Sequence, residues 1–219
     1  MYVDFITAVH KSTKRDYLQR VNEFPKAEAM KRAKLFGFDY WDGDRKFGYG
    51  GYKYDGRWQK VAKAIADHYG LKAGDRVLDV GCGKGFLLYD LTQVVPGIEV
   101  TGMDISKYAI DNSKEEVRPY LKVGNAISLP YKDKSFDLVI SINTLHNLYC
   151  YDLVKALKEI ERVGKKHKYV QVESYRNEEE KVNLLYWVLT GECYYTPDEW
   201  KWFYNLAGYK GDYSFIYFE

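Results

Sequence analysis

Residues 77–85, Val-Leu-Asp-Val-Gly-Cys-Gly-Lys-Gly, constrain this chain more than any other stretch. A short apolar run ending in alternate glycines reads as a buried strand that feeds a tight turn, and Phe86 to Val95 then reads as a helix stopped by Pro96-Gly97. Glycine tolerates positive φ and lets backbone approach a ligand that a side chain would hold off. A turn of this kind after the first strand of a parallel sheet is where such sheets bind ligands. Its spacing excludes two common cradles. In G-x-G-x-x-G the third glycine would fall at position 86, which is Phe, and the phosphate loop needs Lys followed by Ser or Thr, absent here. Asp79 precedes the first glycine. An anion there would repel a pyrophosphate, but it suits a ligand carrying an ammonium group.

Around this turn, apolar runs alternate with helical stretches from Arg76 to Tyr169. Strands are predicted over 77–80, 99–104, 121–124, 136–142 and 169–173. The fourth, Phe136 to Ile142, is apolar on both faces, as a central parallel strand should be. Ser106 is the expected N-cap of a helix through about Val117, and Asp152 to Val163 has helical apolar spacing closed by Gly164. A helix is predicted over 58–69, another near 180–189, one opened by Thr196-Pro197, and a closing strand over 214–218. The alternation implies an α/β fold: a Rossmann-like, doubly wound, mostly parallel sheet with helices on both faces.

A length of 219 residues suits one such domain, and 46% hydrophobic with 29% charged residues is ordinary for a globular chain. Net charge is +2, and the densest basic run, Lys165-Lys166-His167-Lys168, reads as a solvated turn, so no nucleic-acid partner is expected. Three widely spaced cysteines offer neither a disulfide framework nor paired metal ligands; no metal is expected, and a reducing cytoplasm is. No apolar run is long enough for a membrane span. Aromatic residues are the unusual feature, with nine of them and six glycines between 36 and 58. The chain is therefore divided into an N-terminal cap or lid segment, 1–56, and a ligand-binding domain, 57–219, with an insertion at about 174–196.

The second strand ends in Asp104, 23 residues after Gly81. A carboxylate at that offset accepts both hydroxyls of a ribose, Ile105 can pack on an adenine face, and Asn125-Ala126 follows the third strand where an amide could meet the adenine amino group. Together, Val77 to Gly85, Asp104, Asn125-Ala126 and the fourth-strand run Phe136 to Ser141 resemble the class I S-adenosylmethionine-dependent methyltransferases, over about residues 57–174. The chain departs from that pattern in carrying Asn125 where many relatives have Asp, and in showing one strand after the last helix where the family usually shows two.

The resemblance implies S-adenosyl-L-methionine as cofactor, with Asp79, Gly81, Cys82, Gly83, Gly85, Asp104, Ile105, Asn125, Ala126 and Asn143 around it. Tyr49 and Arg57 are expected to join them from a lid of alternating Gly and Tyr, Arg57 at the methionine carboxylate. His146, after the fourth strand, is the candidate general base, because its ordinary pKa suits proton removal. Tyr52, His146, Glu173, Tyr175 and Arg176 are the candidate acceptor-binding residues, Arg176 for an anionic group. The expected reaction is methyl transfer to an O or N atom of a small polar metabolite, a sugar or nucleotide-linked sugar being the favoured example. Two alternatives stay open: other chemistry at the same cofactor (aminocarboxypropyl transfer or cyclisation), and a non-catalytic partner subunit.

Overall fold

A computed structural model describes residues 1–11, 13 and 15–219. Four short helices lead, α1 (Thr7–Lys11), α2 (Tyr17–Asn22), α3 (Lys26–Ala33) and α4 (Phe38–Trp41). Then come α5 (Gln59–Tyr69), β1 (Arg76–Val80), α6 (Phe86–Val94), β2 (Glu99–Asp104), α7 (Lys107–Asp111), β3 (Leu121–Val123) and β4 (Phe136–Ile142). The chain closes with α8 (Cys150–Val163), β5 (Gly164–Glu173), α9 (Glu178–Trp187), α10 (Pro197–Ala207) and β6 (Asp212–Ile216). The strands form one sheet in the order β3-β2-β1-β4-β5-β6, and every neighbouring pair is parallel. The α/β class read from the alternation is the one observed.

Period-two burial explains how the sheet carries helices on both faces. On one side Val77, Leu138 and Ile140 pack with Val61 and Ile65 of α5 and with Leu88 and Leu91 of α6. On the other, Leu78, Val139 and Val172 meet Leu153 and Leu157 of α8 and Trp200 of α10. Helix starts follow the cap chemistry: Ser106 Oγ accepts from Ala109 N at 2.9 Å, and Thr196 with Glu199 forms a full capping box.

Four local expectations are corrected. The helix capped by Ser106 ends at Asp111, not near Val117: Asn112 Nδ2 and Ser113 Oγ bond back to the carbonyls of Tyr108 and Ile110, and a 3₁₀ turn with Pro119 follows. Gly164 closes α8 as expected, its N–H donating to Ile160 O, but its extended backbone (φ −78°, ψ 125°) opens the fifth strand directly, five residues before the predicted start. The basic run 165–168 therefore lies within that strand, where Lys166 reaches Asp137 at 3.0 Å and the buried Lys168 reaches Glu161 at 2.8 Å. Alternation spaces these lysines toward acids on neighbouring elements, a pattern that sequence alone reads as solvated. The closing strand is 212–216, and residues 1–3 lie beside it through a Tyr2–Tyr213 bridge.

The aromatic-rich segment is bolted to the glycine turn. Lys84 Nζ, almost fully buried, donates to both oxygens of Asp42 at 2.7 Å and to the Tyr52 carbonyl at 2.9 Å. Tyr108 Oη donates to the same Asp42, and Trp41 Nε1 donates to Ser106 Oγ at 2.9 Å. Lys84→Met leaves the Asp42 carboxylate without its cation, so the segment should detach more often. Limited proteolysis is expected to cut within 43–56 about tenfold faster in that variant. An unchanged cleavage rate would mean the ion pair does not hold the segment down.

Candidate functional site

The sheet order reverses between β1 and β4, and at the carboxyl ends of these two strands lies a cavity of about 180 Å³. Gly81 and Gly83 form its floor with φ of +85° and +53°. A Cβ on Gly81 would stand 2.0 Å from Thr144 Oγ1, and one on Gly83 would stand 2.8 Å from the Trp41 ring. Both the backbone angle and the close approach therefore exclude side chains here.

Two carboxylates border the same space. Asp79 is 5% exposed, and its buried Oδ1 has no hydrogen-bond partner. Burial, with the nearby Asp104 charge adding, pushes its carboxyl up to about 8. Asp104 is also buried, but each of its oxygens accepts a backbone N–H at 2.8 Å, from Gly83 and from Ser106. Burial raises its pKa and these two bonds pull against the rise. Ile105, beside it, is 56% exposed and faces the cavity, as do Asn125 and Ala126. Asn125 spends its Oδ1 on Ile127 N at 3.1 Å. Cys82 lines the wall as a free buried thiol, and burial pushes it far from the thiolate form.

A second cavity, of about 430 Å³, adjoins the first; Tyr40, Tyr49, Tyr52 and Asn143 line both. Asn143 sits at φ +53°, with its Oδ1 buried and unpartnered. His146, on a 3₁₀ turn after β4, and Glu173, the last residue of β5, belong to this second space. His146 Nε2 lies 3.4 Å from Glu173 Oε2, yet the contact is no ion pair near neutrality. Burial drives the imidazole down to about 3 and the carboxyl up to about 8, the latter against the pull of Arg15, so both groups are uncharged at pH 7.

Of the candidates read from sequence, Asp79, Gly81, Cys82, Gly83, Asp104, Ile105, Asn125, Ala126, Asn143 and Tyr49 come together at the first cavity. Tyr52 borders both cavities, and His146 and Glu173 the second. Four candidates are not brought to the expected positions. Gly85 turns the chain into α6 in a left-handed conformation, packed toward Val117 and Leu121. Arg57 lines only the second cavity and is clasped by Asp55 at 2.6 Å. Arg176 is clasped by Glu180 and by Glu219 across the surface, and Tyr175 packs beside Leu184 and Phe218; neither borders either cavity. Phe36, Tyr40, Trp41, Thr144 and Asn147 line the first cavity without having been singled out. Aromatic density over 36–58 was the available signal, but which rings turn inward depends on anchors such as Lys84.

A glycine cradle and two acids at the switch point of a six-stranded parallel sheet form the crevice in which open α/β sheets bind ligands. The methyltransferase domain family matches residues 71–208, and the chain belongs to it, as a class I S-adenosylmethionine-dependent methyltransferase. The cofactor is S-adenosylmethionine. A demethylmenaquinone methyltransferase of Symbiobacterium thermophilum is 36% identical over 118 residues, 50% of this chain and 46% of that protein. The chain thus spans about half the length of such curated relatives. Among solved structures, a chain from the complex of the Haloferax volcanii Trm112 methyltransferase activator with a methyltransferase is similar at TM-score 0.54 and 25% identity, covering 70% of this chain and 73% of that one. The YcgJ protein of Bacillus subtilis shares the fold at TM-score 0.53 and 21% identity, over 67% of this chain and 66% of that one.

Proposed function

We propose that this chain transfers the methyl group of S-adenosylmethionine to an O or N atom of a small polar molecule, which enters by the second cavity. The observation that carries the reading is the join between the cavities: Tyr49, Tyr52 and Asn143 stand where a cradle of glycines and acids meets a polar chamber holding His146 and Glu173. The cofactor, when bound, supplies a methyl group already activated on a sulfonium, so the protein's contribution is alignment and exclusion of water.

The cradle fits such a molecule. The unpartnered Asp79 oxygen suits the ammonium of its amino-acid part, and Asp104, tethered by two N–H groups, keeps lone pairs for ribose hydroxyls. Ile105 offers an apolar face for adenine, and Trp41, Tyr49 and Tyr52 provide ring faces that attract a sulfonium. His146, neutral and held near pKa 3, is a weak base by itself. Glu173, near 8, lies closer to an operating pH, so the His146–Glu173 pair takes the acceptor's proton, with Glu173 as its seat. A sugar or nucleotide-linked sugar fits the polarity of the chamber, and the three free thiols suit a reducing cytoplasm. Among the described residues no helix is long and apolar enough to cross a membrane.

Incubation with methyl-labelled cofactor and a pool of small metabolites tests the reading. Label in a small molecule, with S-adenosylhomocysteine released, is the expected result. Tight cofactor binding without labelled product, or release of a different nucleoside, would remove it.

A further inference from the structure

Three arginines of the N-terminal segment converge on the second cavity. Arg15, Arg20 and Arg45 place their guanidinium carbons 5.4, 4.6 and 5.0 Å from the centre of one ring, that of Trp187 at the end of α9. All three line the chamber that holds His146 and Glu173. Their hydrogen bonds go to carbonyls and one imidazole: Arg15 to His10 and Thr13, Arg20 to Trp187 and Arg45, and Arg45 to Gly48. Arg15 Nε is buried and has no hydrogen-bond partner among the described residues. Among the described residues none of the three has a carboxylate within ion-pair distance.

Elsewhere several arginines pair with carboxylates, while Arg118 is held by Ser113 alone among the described residues. Arg57 has Asp55, Arg162 has Asp133 and Glu159, and Arg176 has Glu180 and Glu219. Arg15 and Arg20 are half-buried and Arg45 is exposed; guanidiniums gathered this closely repel one another, and the two half-buried ones also lose hydration. Burial, with Arg45 adding, lowers the pKa of Arg15 and Arg20, against the opposing pull of Tyr17 and Glu173 on Arg15 and of Glu23 on Arg20. Carbonyl bonds hold the three in place but do not use up the donors: Arg45 commits one Nη, which leaves its other N–H groups for a ligand. Among the described residues of the chamber lining Glu173 is the one carboxylate, and burial raises its pKa to about 8, against the pull of Arg15.

We infer that the acceptor carries a multiply charged oxyanion, of phosphate or dicarboxylate type, gripped by Arg15, Arg20 and Arg45 at the Trp187 end of the chamber. This rests on the methyl-transfer reading for its context, since the anchored end would leave the rest of the molecule to extend toward His146 and Asn143. It also replaces Arg176, which is sequestered by its own carboxylates, as the source of the positive grip.

Titration calorimetry with inorganic phosphate, pyrophosphate and malonate, with and without S-adenosylhomocysteine, tests the inference. At least one of the three is expected to bind the wild-type protein, and its identity tells phosphate from carboxylate. Arg20→Gln and Arg45→Gln, made separately in case one fails to fold, are each expected to weaken that binding about tenfold or more, with the unfolding temperature retained. A chain that binds none of the three anions, or a folded variant that binds as tightly as wild type, would overturn it. The broader reading fails differently: anion binding would persist and depend on the arginines, while cofactor binding or methyl transfer was missing.

Discussion

Asp79→Asn is expected to weaken S-adenosylmethionine binding about ten- to a hundredfold at pH 8 and to abolish most of its pH dependence. In the free protein the Asp79 carboxyl titrates near 8, raised by burial and by Asp104, so at pH 7 it carries a proton. Pairing with an ammonium requires the carboxylate, so binding releases that proton. Wild-type affinity should then fall about tenfold for each pH unit below 8, the slope of a single linked proton. The amide cannot titrate, so the variant's affinity should stay nearly flat between pH 6 and 7.5. Stability should change in the opposite sense. A carboxyl whose folded pKa lies above its unfolded value makes the protein less stable as pH rises through the unfolded range near 4 toward 8. Without cofactor, Asp79→Asn escapes that loss, and its unfolding midpoint at pH 7 should rise by about 2 °C or more. Asp104→Ala, the companion variant, should lose a similar ten- to hundredfold in affinity. It frees the Gly83 and Ser106 N–H groups and so loosens the cradle as well. Calorimetry from pH 6 to 8 decides: a wild-type affinity that ignores pH would show that no ammonium pairs with Asp79.

Much of this cradle was legible because it is local. Gly81, Asp79 and Asp104 sit at fixed offsets from strands whose apolar runs announce themselves, and the parallel pairing of β1 with β2 carries those offsets into space. Fold class followed from the same alternation. What could not be read depends on contacts distant in sequence. Nothing in the glycine turn marked Lys84, yet it is the buried cation that Asp42 captures from 42 residues away. Arg176 looked available at the end of β5, but Glu180 one helical turn later and Glu219 at the chain's far end take its donors. Arg15, Arg20 and Arg45 carried no signal at all. Arg15 precedes α2, Arg20 lies on it and Arg45 lies on the 3₁₀ turn 45–47, and only tertiary packing brings them around one indole of α9. The extent of α7 was misjudged because Asn112 and Ser113 compete for helix carbonyls, an effect that hydrophobic period does not register.

Glu173→Gln is expected to lower kcat about a hundredfold or more while leaving cofactor affinity unchanged, once an acceptor is in hand. The amide keeps the shape of the side chain and the 3.4 Å approach to His146, but it cannot accept a proton. With its carboxyl near 8, wild-type Glu173 is an active base only in the fraction that has ionised, so kcat should climb with pH and level off above about 8. His146 stays neutral across that whole range, being held near 3, and cannot generate such a limb. His146→Asn should therefore slow the reaction yet keep a rising profile, whereas Glu173→Gln should flatten it. The two profiles separate the seat of the proton from the group that orients it. An acceptor turned over at the wild-type rate by Glu173→Gln would instead mean that it arrives already deprotonated and that the buried pair only shapes the chamber.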